Sequence, residues 1–234
     1  MQAIVRAPDG DWCPRGLVIR NVCLLPMERD ECLNSLTHGA GLLISLVGAV
    51  FLMARVLATH DAWRIAGCAM YVASLISVYA ASTLSHCVSD AQWKRRFRML
   101  DQATIYLLIV GTYTPFAMAF LRHGGWGIFL IGVWAIALLG FVSKLGFAHR
   151  IEGVAVWLYV VLGWLPIVTA WPMRERVPAT ALWWMLIGGL CYTLGTLFLM
   201  NDRRVHWFHA VWHLLVMAGS AWHYAAIWRF VATG

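Results

Sequence analysis

Apolar residues run in long blocks along this chain, and polar residues collect in short breaks between them. The blocks cover about Leu36–Leu57, Ile65–His86, Leu100–Leu121, Trp126–Val142, Val154–Trp171, Ala179–Met200 and His206–Trp228. Their lengths scatter around the ~17–25 residues that a helix needs to cross a hydrocarbon core of about 30 Å. The breaks hold charge and turn formers together: "THDAWR", "CVSDAQWKRRFRM", "RHGGW", "KLGFAHRIEG", "PMRERVP" and "NDRRV". The pattern predicts an all-α, seven-transmembrane helix bundle. Pro115 and Pro166 fall inside blocks, where a proline is expected to kink a membrane helix instead of ending it.

No internal repeat or low-complexity tract divides the chain, so residues 31–234 read as one membrane domain. Residues 1–30 are mixed in character, with Gly10, Pro14, Gly16 and Pro26, and lack the apolar core of a signal peptide. They are expected to form a short, poorly ordered cytosolic lead. An alternative start at Met27 would remove most of that lead and leave the patterned region intact.

Composition agrees with the pattern. Of 234 residues, 61% are hydrophobic and only 12% charged, against about a quarter charged in a soluble domain. So few charges cannot cover a water-facing surface, and the class is a multi-pass protein of the cell (inner) membrane. The net charge of +7 does not point to nucleic acid, because the basic residues lie in the breaks, where they set orientation and meet lipid headgroups. The six cysteines show no CxxC and no repeated spacing, so no disulfide framework is implied.

Orientation follows from the side on which Lys and Arg fall. With the N-terminus inside, the inner side holds Arg6, Arg15, Arg20, Arg29, Lys94, Arg95, Arg96, Arg98, Lys144, Arg150, Arg203 and Arg204. The outer side holds Arg55, Arg64, Arg122, Arg174, Arg176 and Arg229. Twelve against six predicts a cytosolic N-terminus and an external C-terminus.

That direction brings distant polar residues to one depth. Span 2 ends at His86 near the inner face, Asp101 stands at the start of span 3, and His209 and His213 lie one and two turns into span 7. His209 and His213 are i and i+4, so both rings leave one helix face, and Ser82 and His86 repeat that spacing on span 2. Two histidines a turn apart, a third from a facing helix and an open fourth position match a zinc site with three protein ligands. Imidazole also suits iron, copper and nickel. Asp101, a carboxylate that is costly inside a membrane span, is then a group beside the ligands or an acceptor for a water on the metal.

Other histidines read differently. His223 lies roughly 15 Å beyond His213 along its helix, and is expected to be a hydrogen-bonded packing residue. His206 is expected at the interface, and His60, His123 and His149 in loops. Trp63, Trp93, Trp126, Trp171 and Trp207 at span ends read as interfacial anchors. Gly39, Gly41 and Gly48 on span 1 and Gly188, Gly189 and Gly195 on span 6 permit close helix approach.

The segments "ECLNSLTHGAG" (31–41), "ASTLSHC" (81–87), "LDQATIYLLIVGTYTPF" (100–116) and "HAVWHLLVMAGSAWHYAAI" (209–227) resemble the motifs of the hemolysin III family, the bacterial branch of the progestin and adipoQ receptor group that includes the adiponectin receptors. Four motifs in order, from about Glu31 to Trp228, carry the resemblance. It implies seven helices, a cytosolic N-terminus and a Zn2+ ion near the cytoplasmic side, with His86, His209 and His213 as ligands. It also implies that Asp101 holds the metal's water, and it matches Ser82 to the motif serine. Ser85 and Gln102 stand where bacterial members commonly carry an aromatic and a His or Tyr. Neither departure removes a ligand, although Gln102 bears on the hydrogen bonding around Asp101.

These features lead to a zinc-dependent hydrolase of lipid amides or esters, ceramidase-like, with membrane lipids as substrate and Asp101 orienting or deprotonating the water. A wider superfamily that includes alkaline ceramidases supplies the lipid class. Rival readings are a non-enzymatic sensor or homeostasis protein with a structural zinc, a pore-forming cytolysin, and a haem protein with facing histidines. Against a pore, spans 4 to 6 are almost wholly apolar.

Overall fold

The computed structural model describes residues 4–6, 12–14, 18–19, 22–23, 29–122, 125–147, 152–202, 204–205 and 207–233. Expectations for His123, His149, His206, Arg150, Arg203 and most of the lead lie outside the described residues. In the lead, β1 (Ile4–Arg6) pairs antiparallel with β2 (Trp12–Pro14), and β3 (Val18–Ile19) with β4 (Val22–Cys23). The rest is helical: α1 (Arg29–Leu57), α2 (Ala62–Cys87), α3 (Ala91–Phe120), α4 (Trp126–Phe147), α5 (Glu152–Trp164), α6 (Ile167–Met173), α7 (Ala179–Leu199) and α8 (Phe208–Phe230).

Among the described residues, five helices (α1 to α4 and α7) are long and apolar enough to cross a membrane by length and composition. The last segment, α8, has 23 residues, and its histidines and Arg229 lower its hydropathy. The fifth apolar block is delivered as two helices. Pro166, expected only to kink it, interrupts it: proline has no N–H to continue the ladder, and bonds from Val168 to Leu165 and from Thr169 to Pro166 restart the turn. Pro115, by contrast, lies inside an unbroken α3.

α3 also begins earlier than its apolar block. The Asp90 carboxylate caps it by accepting from the Trp93 N–H at 2.9 Å, so the basic stretch 94–98 is helical. Asp101 therefore sits almost three turns into the helix, not in its first turn. Asp61 caps α2 in the same way, accepting from Trp63 and Arg64 N–H at 2.9 and 3.3 Å.

The packing is polar-inward, as a lipid environment requires. On α1, Asn34, His38, Gly41, Ser45, Leu52 and Val56 are buried, while Leu43, Ile44, Val47, Val50 and Phe51 are exposed. Ile128, Ile131, Leu139 and Val142 likewise face outward on α4. Small residues and polar groups hold the interior together because lipid tails give apolar side chains no reason to leave them.

Neighbouring helices close a ring in the order α1, α2, α3, α5, α7, α8, with α4 flanking α3. At Gly67 the α2 backbone approaches α3 so closely that a Cβ there would stand 2.9 Å from the Cα of Pro115. Aromatic donors bridge the joints: Tyr224 to the Gly48 carbonyl at 2.9 Å, Tyr159 to the Gln102 carbonyl at 2.7 Å, Trp134 to Thr114 at 3.0 Å, and Trp164 to Thr193 at 3.1 Å.

Candidate metal centre

Three helices deliver the expected polar residues to the wall of one cavity. Ser82 and His86 come from the last two turns of α2, Asp101 from α3, and His209 and His213 from the first two turns of α8. His86, His209 and His213 each offer one ligand atom, and these atoms lie within 4.8 Å of one another. Ring centroids are 5.5 Å apart for His86 and His209, 5.3 Å for His86 and His213, and 4.4 Å for His209 and His213. His86 and His213 are buried and His209 is half-buried. The i, i+4 spacing on α8 supplies two rings from one face, and α2 brings the third across from the facing side.

The surroundings orient the rings. His209 donates from Nδ1 to Oδ2 of Asp202 at 3.0 Å, which leaves its Nε2 lone pair available. Thr37 spends its hydroxyl proton on the Asn34 carbonyl at 2.9 Å, and its oxygen stands 3.5 Å from Nδ1 of His213, a long contact. Ser82 and Asp101 both line the cavity beside the histidines, while Ser85 donates to the Ser82 carbonyl at 2.9 Å. Three imidazoles, with one ring held by a carboxylate, form a donor set that fits zinc.

Two residues at this centre have no place in the spacing argument. One is Asp202, whose segment reads from sequence as a charged break. The other is His38 of α1, which is 3% exposed. Its ring centroid lies 3.8 Å from that of His213 and 6.2 Å from that of His86. A signal for it existed: Asn34, His38, Gly41 and Ser45 make a polar and small stripe at helical spacing on an otherwise greasy span.

His223 stands apart from the cluster. Its Nδ1 donates to the Gly219 carbonyl at 2.8 Å, and its ring stacks on Tyr192 with centroids 5.4 Å apart. Gly188 on α7 leaves the room that the imidazole fills. Deeper in the bundle, Ser220 receives Tyr79 at 3.1 Å and shares a 2.9 Å hydrogen bond with Tyr192, tying α2, α7 and α8.

The cavity has a volume of about 1270 Å³. Along α3 its lining runs from Lys94 to Tyr113, a helical length of roughly 28 Å. Its near end holds His38, His86, His209, His213, Asp101, Arg98 and Lys144, and its far part is walled mainly by apolar groups such as Ile167, Leu182 and Met185, with Thr112, Tyr113 and His223 among them. A polar end with candidate ligands and a long, mainly apolar remainder suit an amphiphile.

Fold and site define a multi-pass helical membrane protein with three histidines that could hold a metal ion. The chain belongs to the haemolysin-III related family, whose profile matches residues 28–224. It is 33% identical over 193 residues to a hemolysin-3 homolog of Bacillus subtilis (strain 168), covering 82% of this chain and 90% of the relative. With hemolysin-3 of Bacillus cereus the identity is 32% over 204 residues, 87% of this chain and 92% of the relative. The monocyte to macrophage differentiation factor of Homo sapiens is 26% identical over 219 residues, 88% of this chain and 86% of the relative. No solved structure matches the chain.

Proposed function

We propose that this protein is a zinc-dependent membrane hydrolase that cleaves the amide or ester bond of a lipid. The observation that carries the reading is the placement of His86, His209 and His213, with ligand atoms within 4.8 Å, at one end of a long cavity whose remainder is mainly apolar. Zinc, when bound, supplies a Lewis acid that polarises a carbonyl and makes water nucleophilic near neutral pH.

The chain's own residues supply the rest. The apolar wall takes the acyl chain and excludes water from it, leaving the carbonyl at the polar end. Asp101, on the cavity wall beside Ser82, accepts a proton from the attacking water and passes it to the departing amine or alcohol. The water oxygen bonds to the carbonyl carbon, the C–N or C–O bond breaks, and a fatty acid and an amine or alcohol leave. With the N-terminus in the cytosol, this chemistry takes place in the inner half of the bilayer.

The test is metal analysis of the purified protein beside a His209→Ala/His213→Ala variant, with fatty acid release from ceramides, acyl amides and phospholipids in nanodiscs. About one zinc per chain is expected in the parent protein and none in the variant. Equal zinc in both ends the proposal. If zinc is present and no lipid is turned over, the sensor reading with a structural ion replaces the hydrolase.

A further inference from the structure

His38 carries a cost that its surroundings do not repay. The side chain is buried, and neither Nδ1 nor Nε2 has a hydrogen-bond partner among the described residues. A buried imidazole must hold a proton on at least one nitrogen and a lone pair on the other, or protons on both. Leaving both positions unmade forfeits the hydration both nitrogens had in water. Buried polar side chains are otherwise nearly always satisfied, so an orphan is a mark of something that binds.

The position narrows the binder. His38 packs edge-on against His213 and nearly parallel to His86, and it lines the same cavity as both. It does not join the three whose ligand atoms lie within 4.8 Å of one another. Packing alone is a poor account of the residue: its ring also meets Tyr79 at 5.7 Å, a contact that a phenylalanine could make without two orphan nitrogens.

We infer that His38 is a fourth functional imidazole of the centre, a hydrogen-bonding partner for the oxygen atom, of water or of a substrate carbonyl, that enters the histidine cluster. The inference rests on the metal reading above. Three histidines from α2 and α8 hold the ion, and α1 contributes the group that selects and orients what comes next to it. This gives α1 a chemical task, whereas the spacing of span 1 glycines suggested only close packing.

The experiment uses the full-length protein loaded with cobalt in place of zinc and acetohydroxamate as an oxygen-donor probe, read by the cobalt absorption bands. His38→Phe keeps an aromatic ring against His213 and Tyr79 but has no nitrogen, and His38→Gln restores a donor and an acceptor. Both should retain about one metal per chain. His38→Phe should bind the probe about tenfold more weakly than the parent, and His38→Gln should recover part of that loss. Equal probe affinity in the parent and His38→Phe overturns the inference, as does loss of the metal itself from both variants, which would make His38 a ligand. Absence of metal from the parent protein would instead sink the zinc reading on which the inference stands.

Discussion

His209 and Asp202 form a hydrogen-bonded contact across the turn that leads into α8, with Nδ1 of the imidazole 3.0 Å from Oδ2 of the carboxylate. The pairing fixes the ring and the tautomer that leaves its other nitrogen able to bind a metal. Asp202→Ala should therefore weaken zinc affinity by about 10- to 100-fold without abolishing binding, since all three imidazoles remain. Competition with a chelator on the solubilised protein measures this. An unchanged affinity would show that the carboxylate only caps the turn.

Ser220 is the meeting point of Tyr79 and Tyr192, and its backbone carbonyl also lies 3.4 Å from the Tyr71 hydroxyl. Ser220→Ala leaves the buried Tyr79 hydroxyl without its acceptor, a cost of about 1–3 kcal/mol. The expected result is a lower melting temperature in detergent, with metal content unchanged. Tyr79→Phe added to Ser220→Ala should recover part of the loss, because it removes the stranded hydroxyl. Additive losses in the double variant would count against the network.

Twelve basic residues on one side against six on the other favour a cytosolic N-terminus. A periplasm-active reporter fused to the C-terminus should be active and a cytoplasm-active one silent. The converse pair of results would reverse the orientation and move the histidines to the outer half of the membrane.

Much of this arrangement was legible in the chain because membrane helices report their period plainly. Ser82 with His86, and His209 with His213, repeat one-turn spacings at span ends that orientation places together. His38 was not legible in that way. It has no histidine partner one turn away, and its tertiary neighbours lie far off in sequence. Asp202 was hidden differently: a carboxylate beside arginines in a break looks like a solvated turn until α8 folds back over it. The start of α3 was missed because the helix is set by the Asp90 cap, which an apolar count does not register. Pro166 ends a helix where Pro115 does not, a difference of local packing that composition cannot express.

At the opposite end of the bundle, Asp61 caps α2 and meets Arg122 at 3.2 Å, while Arg64 donates to the Val231 carbonyl at 2.6 Å. Burial pushes the Asp61 carboxyl up, but the Arg64 and Trp63 backbone N–H groups and the Arg122 and Arg64 guanidinium groups outweigh it and hold it below its ordinary value. A carboxylate lowered in the folded state stabilises above its unfolded pKa of about 3.9 and loses that contribution as pH falls through the folded value. Asp61→Asn keeps a competent cap and removes the charge. Its melting temperature should lie below the parent's at pH 7, and the two should converge under acid. A constant difference between pH 7 and pH 3 would mean that the charge contributes nothing.

Asp101 decides whether the centre does chemistry. It lines the cavity with Ser82, but it is not among the three residues whose ligand atoms converge. If its task is to take a proton, Asp101→Asn keeps the shape but cannot accept a proton in the reaction. That variant should hold about one zinc per chain and lose turnover by about 100-fold or more, the scale of a general base. His213→Ala should lose both the metal and the turnover, because two imidazoles do not hold a tight open site. The comparison needs only metal analysis and fatty acid release on the same preparations. If Asp101→Asn loses its zinc as completely as His213→Ala, the carboxylate is a fourth ligand. The site is then closed and structural, and the protein is a sensor whose ion ties α2 to α8, not a hydrolase.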